Sequence, residues 1–182
     1  LVRAEQWNIP AIVVFNKMDE FTDQIDLEFE MRKFKNIGVE TFQISSISGY
    51  EEELARLGKF LANKTAICLG QSGVGKSKLI TALSGGSIEL LTGILAKGVE
   101  KGAHTTTWAE LIDCNKFFIV DSPGVRSMAV VDINIDELTG FFPDLIPYFQ
   151  KCQFFDCRHE ENSKGCSFKE LDLDDPDDYI VY

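Results

Sequence analysis

Residues 70–77 read Gly-Gln-Ser-Gly-Val-Gly-Lys-Ser, a glycine-rich turn closing on a lysine and a hydroxyl. Glycines at this spacing let successive backbone N–H groups turn inward and cradle phosphate oxygens at a helix N-terminus. Lys76 would reach the β- and γ-phosphates, and Ser77 would ligate Mg²⁺. Gly70, Gln71, Ser72, Gly73, Val74 and Gly75 supply the loop, and Lys78 is counted with the nucleotide-binding set.

A second motif, Asn16-Lys17-Met18-Asp19, directly follows the apolar run Ala11–Phe15. The end of a strand is where an α/β sheet binds its ligand. The Asp19 carboxylate can accept from the N1–H and the exocyclic amine of guanine, a donor pair that adenine lacks. Asn16 can address the opposite edge of the base, and the stem of Lys17 can lie over it. Ser45 and Ser46, at the end of the next apolar run, are placed to support the base through backbone groups.

Asp121-Ser-Pro-Gly124 ends another apolar run. Asp121 fits a carboxylate that holds Mg²⁺ through water, and the Gly124 N–H would meet a γ-phosphate and start a nucleotide-sensing switch. One hydroxyl of His104-Thr-Thr-Thr107 could close on the same Mg²⁺. Val125 stands where Ras-type enzymes place the glutamine that orients the attacking water, and valine cannot do that. A third chemistry gathers near the C-terminal end. Cys152, Cys157, His159 and Cys166 supply three thiolates and an imidazole, a set suited to tetrahedral Zn²⁺ in a closed, structural site. Cys68 and Cys114 read as packing or turn residues, and Phe141–Phe155 as core.

These motifs need elements to carry them. Ala11–Phe15 is a strand expected to be buried on both faces. Composition favours helix over Asp23–Ile37, although its apolar residues alternate as in a strand. Val39–Ile44 is the next strand, Ser48-x-x-Glu51 a capping box opening a helix through Leu61, and Thr65–Leu69 a strand entering the glycine turn. A helix follows over Lys76–Ser84, closed by Gly85 and Gly86. Gly86–Thr107 reads as a long mobile loop. Trp108–Ile112 and Lys116–Val120 form a hairpin, and the tail is acidic.

The predicted class is α/β, a P-loop, Ras-like sheet, mostly parallel, with helices on both faces, followed by a small zinc-binding module from about Asn134. The chain has 182 residues, 45% hydrophobic and 26% charged, which excludes wholesale disorder. No apolar run reaches the ~20 residues of a membrane span. A net charge of −11 argues against nucleic-acid binding through an overall field. Residues 160–182 carry −6 of that charge. Five cysteines are too few for a disulfide framework and fit a reducing compartment. Leu1–Trp7 read as the end of a helix already under way, so the chain is expected to be a fragment.

The order of the motifs is the most specific feature. A Ras-like GTPase runs from phosphate loop through threonine switch and D-x-x-G to N-K-x-D and the serine loop; here the last two come first, a circular permutation. With the Cys-x4-Cys-x-His pattern, this order resembles the circularly permuted GTPases of small-ribosomal-subunit assembly, the RsgA family. The resemblance covers NKMD, ISS, GQSGVGKS, HTTT, DSPGVR and the zinc pattern. It implies GTP/GDP, Mg²⁺ and Zn²⁺ as cofactors and a cytoplasmic, monomeric GTPase. That enzyme would be slow alone, stimulated by the small ribosomal subunit and its rRNA, act in late subunit maturation, and have no DNA or membrane partner. It further implies that Thr106 is the Mg²⁺-contacting switch threonine and that His104 is a candidate for the role Val125 cannot fill. The family's N-terminal OB-fold has no counterpart in the sequence. The GTPase domain is expected over 1–133 and the zinc module over 134–182. A switch with negligible hydrolysis is the alternative, and a P-loop ATPase is disfavoured by Asn16 and Asp19.

Overall fold

The ambiguous stretch after Asp23 is decided at its ends. In the computed structural model, which describes residues 1–22, 26–46, 49–85, 110–121, 133–160 and 162–170, a helix runs over Leu27–Asn36 (α2), after the short α1 at Val2–Gln6. Asp26 caps α2 by accepting from the Phe29 N–H at 2.9 Å. Glu28 and Glu30 lie in its first turn and Lys33 and Lys35 in its last, as the helix dipole prefers. Periodicity suggested strand, but the cap and the charge order prevail.

The first three strands, β1 at Ile12–Phe15, β2 at Glu40–Gln43 and β3 at Thr65–Cys68, are shorter than the apolar runs that predict them, while β4 at Glu110–Asp113 and β5 at Phe118–Asp121 each run one residue past the predicted end. Every residue of β1 is only half-buried, so the expectation of burial on both faces is not met. Helix α3 spans Glu51–Leu61 and α4 spans Lys76–Leu83. Tyr50, not Ser48, is the N-cap of α3. Glu51 accepts from the Gly49 N–H at 3.1 Å, so the helix starts two residues later than the capping-box reading places it. Ser48, Gly86, the loop after it and residues 171–182 of the acidic tail lie outside the described residues.

Among the described residues the strands form two sheets, β1 with β2, and β3-β5-β4. In the second, β3 and β5 run parallel, with Cys68 opposite Asp121. β4 and β5 form the expected antiparallel hairpin. Asn115 turns it at φ +72°, and its N–H donates to Asp113 Oδ1 at 2.7 Å.

The chain divides into two compact units, each described by itself. One comprises Leu1–Val13, Asp23–Thr41 and Ala129–Tyr182, and the other Val14–Thr22 and Phe42–Met128. In the first unit α1 neighbours the 3-10 turn Thr139–Phe141, which ties the chain's start to its C-terminal segment. The second unit holds most of the buried apolar side chains: Phe42, Ile44, Leu57, Leu61, Leu79, Ile80, Phe117 and Ile119. They come from α3, α4 and the strands beside them. Phe60 meets Phe42 edge-on at 5.7 Å, and the Arg56 guanidinium covers that ring at 4.0 Å. This core fixes the strand ends from which the functional loops spring.

Candidate functional site

The phosphate loop leaves β3 and closes on α4. Gly75 is the N-cap of α4, at φ +94°, a left-handed conformation in which a side chain is strained. A Cβ there would also overlap the Asn16 Nδ2 amide, so this position needs glycine twice over. Lys76 Nζ donates to the Gly70 carbonyl at 2.6 Å and to the Gln71 carbonyl at 2.8 Å. The lysine therefore folds across the loop that precedes it, with its ammonium over the concavity where α4 begins. That helix start offers free N–H groups to an anion.

Asn16 and Asp19 emerge from β1. Lys17 takes the left-handed conformation at φ +64°, and Met18–Glu20 form one 3-10 turn. The Met18 N–H donates to the Ile44 carbonyl at 3.2 Å, and the Ile44 N–H to the Phe15 carbonyl at 2.8 Å. This brings the serine loop alongside. The buried Ser45 donates its hydroxyl to Asp19 Oδ1 at 2.5 Å. Ser46 donates to Asn16 Oδ1 at 3.2 Å. Asn16 Nδ2 in turn donates to the Val74 carbonyl at 2.9 Å. Fifty-eight residues of sequence separate Asn16 from Val74, yet one amide joins the base-reading motif to the phosphate loop. The serine loop is expected to support the base through its backbone; the structure also puts its two hydroxyls on Asp19 and Asn16. A carboxylate has about four acceptor positions, so the exposed Asp19, with one taken by Ser45, keeps capacity for a donor pair.

Asp121 ends β5, opposite Cys68 at the mouth of the phosphate loop. Burial, and then the negative Asp121 alongside, push the Cys68 thiol up, while Lys76 opposes them. Carboxylate and ammonium thus share one end of the parallel strand pair, the end where such sheets take ligands. Ser77 is exposed in the first turn of α4, and Lys78 is exposed beside it. His104, Thr106, Gly124 and Val125 lie outside the described residues.

In the first unit Cys152, Cys157, His159 and Cys166 come together, with one ligand atom from each lying within 4.8 Å of the others. His159 Nδ1 is 3.6 Å from both Cys152 Sγ and Cys166 Sγ. A tetrahedral ion about 2.3 Å from sulfur and about 2.0 Å from nitrogen sets a sulfur–nitrogen edge of about 3.6 Å. The donor set fits zinc in chemistry and spacing. Burial pushes the His159 imidazole down, which favours the neutral ligand form.

Sequence reasoning missed Ser167 at this centre. Its N–H donates to Cys152 Sγ at 3.5 Å, its hydroxyl lies 3.3 Å from that sulfur, and the hydroxyl also donates to the Tyr148 carbonyl at 2.5 Å. Burial opposes the Cys152 thiolate, but the hydrogen bonds around it, those at Ser167 first and then Cys157 and Cys166, outweigh burial, and its pKa falls. Phe149 and Phe168 stack near the imidazole at 4.6 and 5.0 Å. A serine next to a cysteine carries no spacing signal, so only geometry finds it. The reading of Phe141–Phe155 as core is corrected. Phe141, Phe142 and Phe149 are half-buried, while Phe154 and Phe155 stand exposed.

The sequence profile of the RsgA GTPase family matches residues 1–131. The chain is 33% identical to the small ribosomal subunit biogenesis GTPase RsgA of Flavobacterium johnsoniae over 172 residues, covering 93% of this chain and 52% of that protein. It is 34% identical to the protein of the same name from Mannheimia succiniciproducens, covering 93% of this chain and 48% of the relative. The chain thus spans about half the length of the curated relatives it matches. Among solved structures, YloQ, described as a circularly permuted GTPase, superposes with a TM-score of 0.68 at 26% identity, over 93% of this chain and 52% of YloQ. YjeQ from Thermotoga maritima gives 0.63 at 27% identity, over 93% and 55%.

Proposed function

The chain belongs to the RsgA GTPase family, and from that premise we propose that it carries the nucleotide-hydrolysing part of a small-subunit assembly factor. It would convert GTP and water to GDP and phosphate, slowly alone and faster on the small ribosomal subunit, late in that subunit's maturation. The observation that carries this reading is the hydrogen-bonded path from Asp19 and Ser45, and from Ser46 through Asn16, to the Val74 carbonyl. It supports the reading because it links the carboxylate proposed to select guanine to the loop proposed to hold the phosphates.

Asp19 and Asn16 would select the base, and Lys17 would lie over it. The backbone of Gly70–Gly75 and the Lys76 ammonium would hold the phosphates, and Lys76 would stabilise charge on the transferring group. When bound, Mg²⁺ neutralises charge on the β- and γ-phosphates; Ser77, Thr106 and, through water, Asp121 are the residues to hold it. Gly124 would sense the γ-phosphate, and His104 takes the water-orienting role that Val125 lacks. Zinc supplies a covalent-like crosslink through Cys152, Cys157, His159 and Cys166. In domain terms the GTPase occupies 1–133 and the zinc module 134–182. The rRNA contact and a monomeric, cytoplasmic state belong to the same reading. Among the described residues no helix is long and apolar enough to cross a membrane.

Phosphate release from GTP and from ATP, with and without small subunits, tests the proposal. GTP-selective turnover that rises with subunits is the expected result. Binding without turnover under both conditions would favour the second reading, a nucleotide switch, which Val125 motivates. Equal use of ATP would reject the base assignment.

Removing Ser45's hydroxyl isolates one link of the path. Ser45→Ala is expected to weaken GTP binding about tenfold, the worth of one hydrogen bond to a charged group, and to leave the weak binding of ATP unchanged. Equilibrium titration with both nucleotides checks this; a parallel loss for ATP would mean that the serine only supports the fold.

A further inference from the structure

The zinc-site loop holds two adjacent phenylalanines in water. Phe154 is 50% exposed and Phe155 fully exposed, at 104%. The cause is local. The Cys157 N–H donates to the Phe154 carbonyl at 3.2 Å, closing a four-residue turn with Phe155 at its corner. Cys152 and Cys157, the metal ligands, bracket that turn. The Gln153 N–H also donates to the Gly165 carbonyl at 2.9 Å, and a Cβ on Gly165 would run into the Gln153 side chain. The turn is thus braced from both sides, and Phe155 cannot reach the small core beside it.

The charge around the pair departs from the rest of the chain. Residues 151–169 hold Lys151, Arg158, Lys164 and Lys169 against Asp156, Glu160 and Glu161, a net positive stretch in a chain of −11. All four cations are exposed. The bond from Gln153 to Gly165 sets Lys164 next to the phenylalanine turn. Exposed aromatic faces held rigidly among cations suit a single-stranded nucleic acid, whose bases stack on rings and whose phosphates meet the cations.

We propose that Phe155, with Phe154, is a stacking platform for an unpaired RNA base, and that Lys151, Arg158 and Lys164 hold the adjoining phosphates. The inference deepens the ribosomal reading and rests on it for the source of the RNA. The zinc-loaded chain would be titrated with oligouridine, with protein-free small-subunit rRNA and with intact subunits. Phe155→Ala is expected to cut affinity for oligouridine and for protein-free rRNA about five- to a hundredfold, the range for one stacked base. Zinc content and GTP binding should not change. Phe155→Trp should keep the affinity, with its fluorescence quenched by the RNA. Lys164→Gln should make the salt dependence shallower by about 0.7 in the log–log slope. Wild-type affinity of Phe155→Ala for both RNAs overturns the proposal. So does a loss confined to intact subunits, which would assign the ring to a ribosomal protein. Phe155-dependent binding of oligouridine without any binding to subunits would sink the ribosomal reading and leave the platform standing. Subunit binding indifferent to Phe155 would do the reverse.

Discussion

Asp19→Asn should turn a GTP-binding chain into one that prefers XTP. The carboxylate accepts from guanine N1–H and from the exocyclic amine, while an asparagine offers one acceptor and one N–H₂ donor. The donor repels the guanine amine and complements the carbonyl that xanthine carries in its place. One hydrogen bond to a charged group is worth about 1.5–3 kcal/mol, and with the other kept by the asparagine oxygen, GTP affinity should fall about 10–10²-fold. XTP should gain over the wild type. Asparagine keeps an acceptor for the Ser45 hydroxyl, now 2.5 Å from Asp19 Oδ1, so thermal stability should hold. Competition binding with GTP, XTP and ATP reads all three effects. Unchanged preference for GTP would mean that the base is read elsewhere.

The second large effect is loss of metal. A strong chelator should remove about one zinc per chain, the stoichiometry of a closed four-ligand site. Structural zinc contributes about 10–16 kcal/mol to the folding of small metal-bound modules, as much as the whole stability of an ordinary domain. Around Cys166 the core is thin: Cys166 itself is buried, but Phe149 and Phe168 are only half-buried. Without the metal the segment from Ile146 to Phe168 should therefore lose amide-exchange protection. Amides of α3, α4 and β5 should keep theirs, because the unit that contains them holds none of the four ligands. Cys157→Ser should reproduce the effect. A metal-free chain with full protection of the Cys152–Cys166 segment would show that the cluster does not need an ion.

Much of this was legible in the residues, for reasons that can be named. Gly73, Gly75 and Lys76 advertise a phosphate loop because few other backbones need left-handed glycines immediately before a lysine. The four zinc-site donors are dense enough in sequence to meet without help from distant elements. Asp26 and the charge order of α2 identify a helix despite an alternating apolar pattern. Other features depended on where side chains turn. Helix α3 starts two residues after the capping-box reading places it, with Glu51 accepting from the Gly49 N–H. Phe154 and Phe155 read as core by composition, yet a tight turn has no inside for its corner residue. The roles of Ser45, Ser46 and Ser167 were invisible, since a hydroxyl's partner is fixed only when separate segments converge. Nor did the strands announce that those described would form two sheets.

The Asn16 amide has a consequence for how such a site can be altered or inherited. Its oxygen accepts from Ser46 and one of its two N–H groups donates to the Val74 carbonyl, which leaves the second N–H for a base, and its volume excludes any side chain at position 75. The phosphate loop and the base loop, far apart in the chain, are therefore not separable cassettes. Transplanting either into another scaffold without its counterpart breaks the bond that holds the two loops in register. Circular permutation could reorder these segments freely because it moves the chain breaks and leaves that junction untouched.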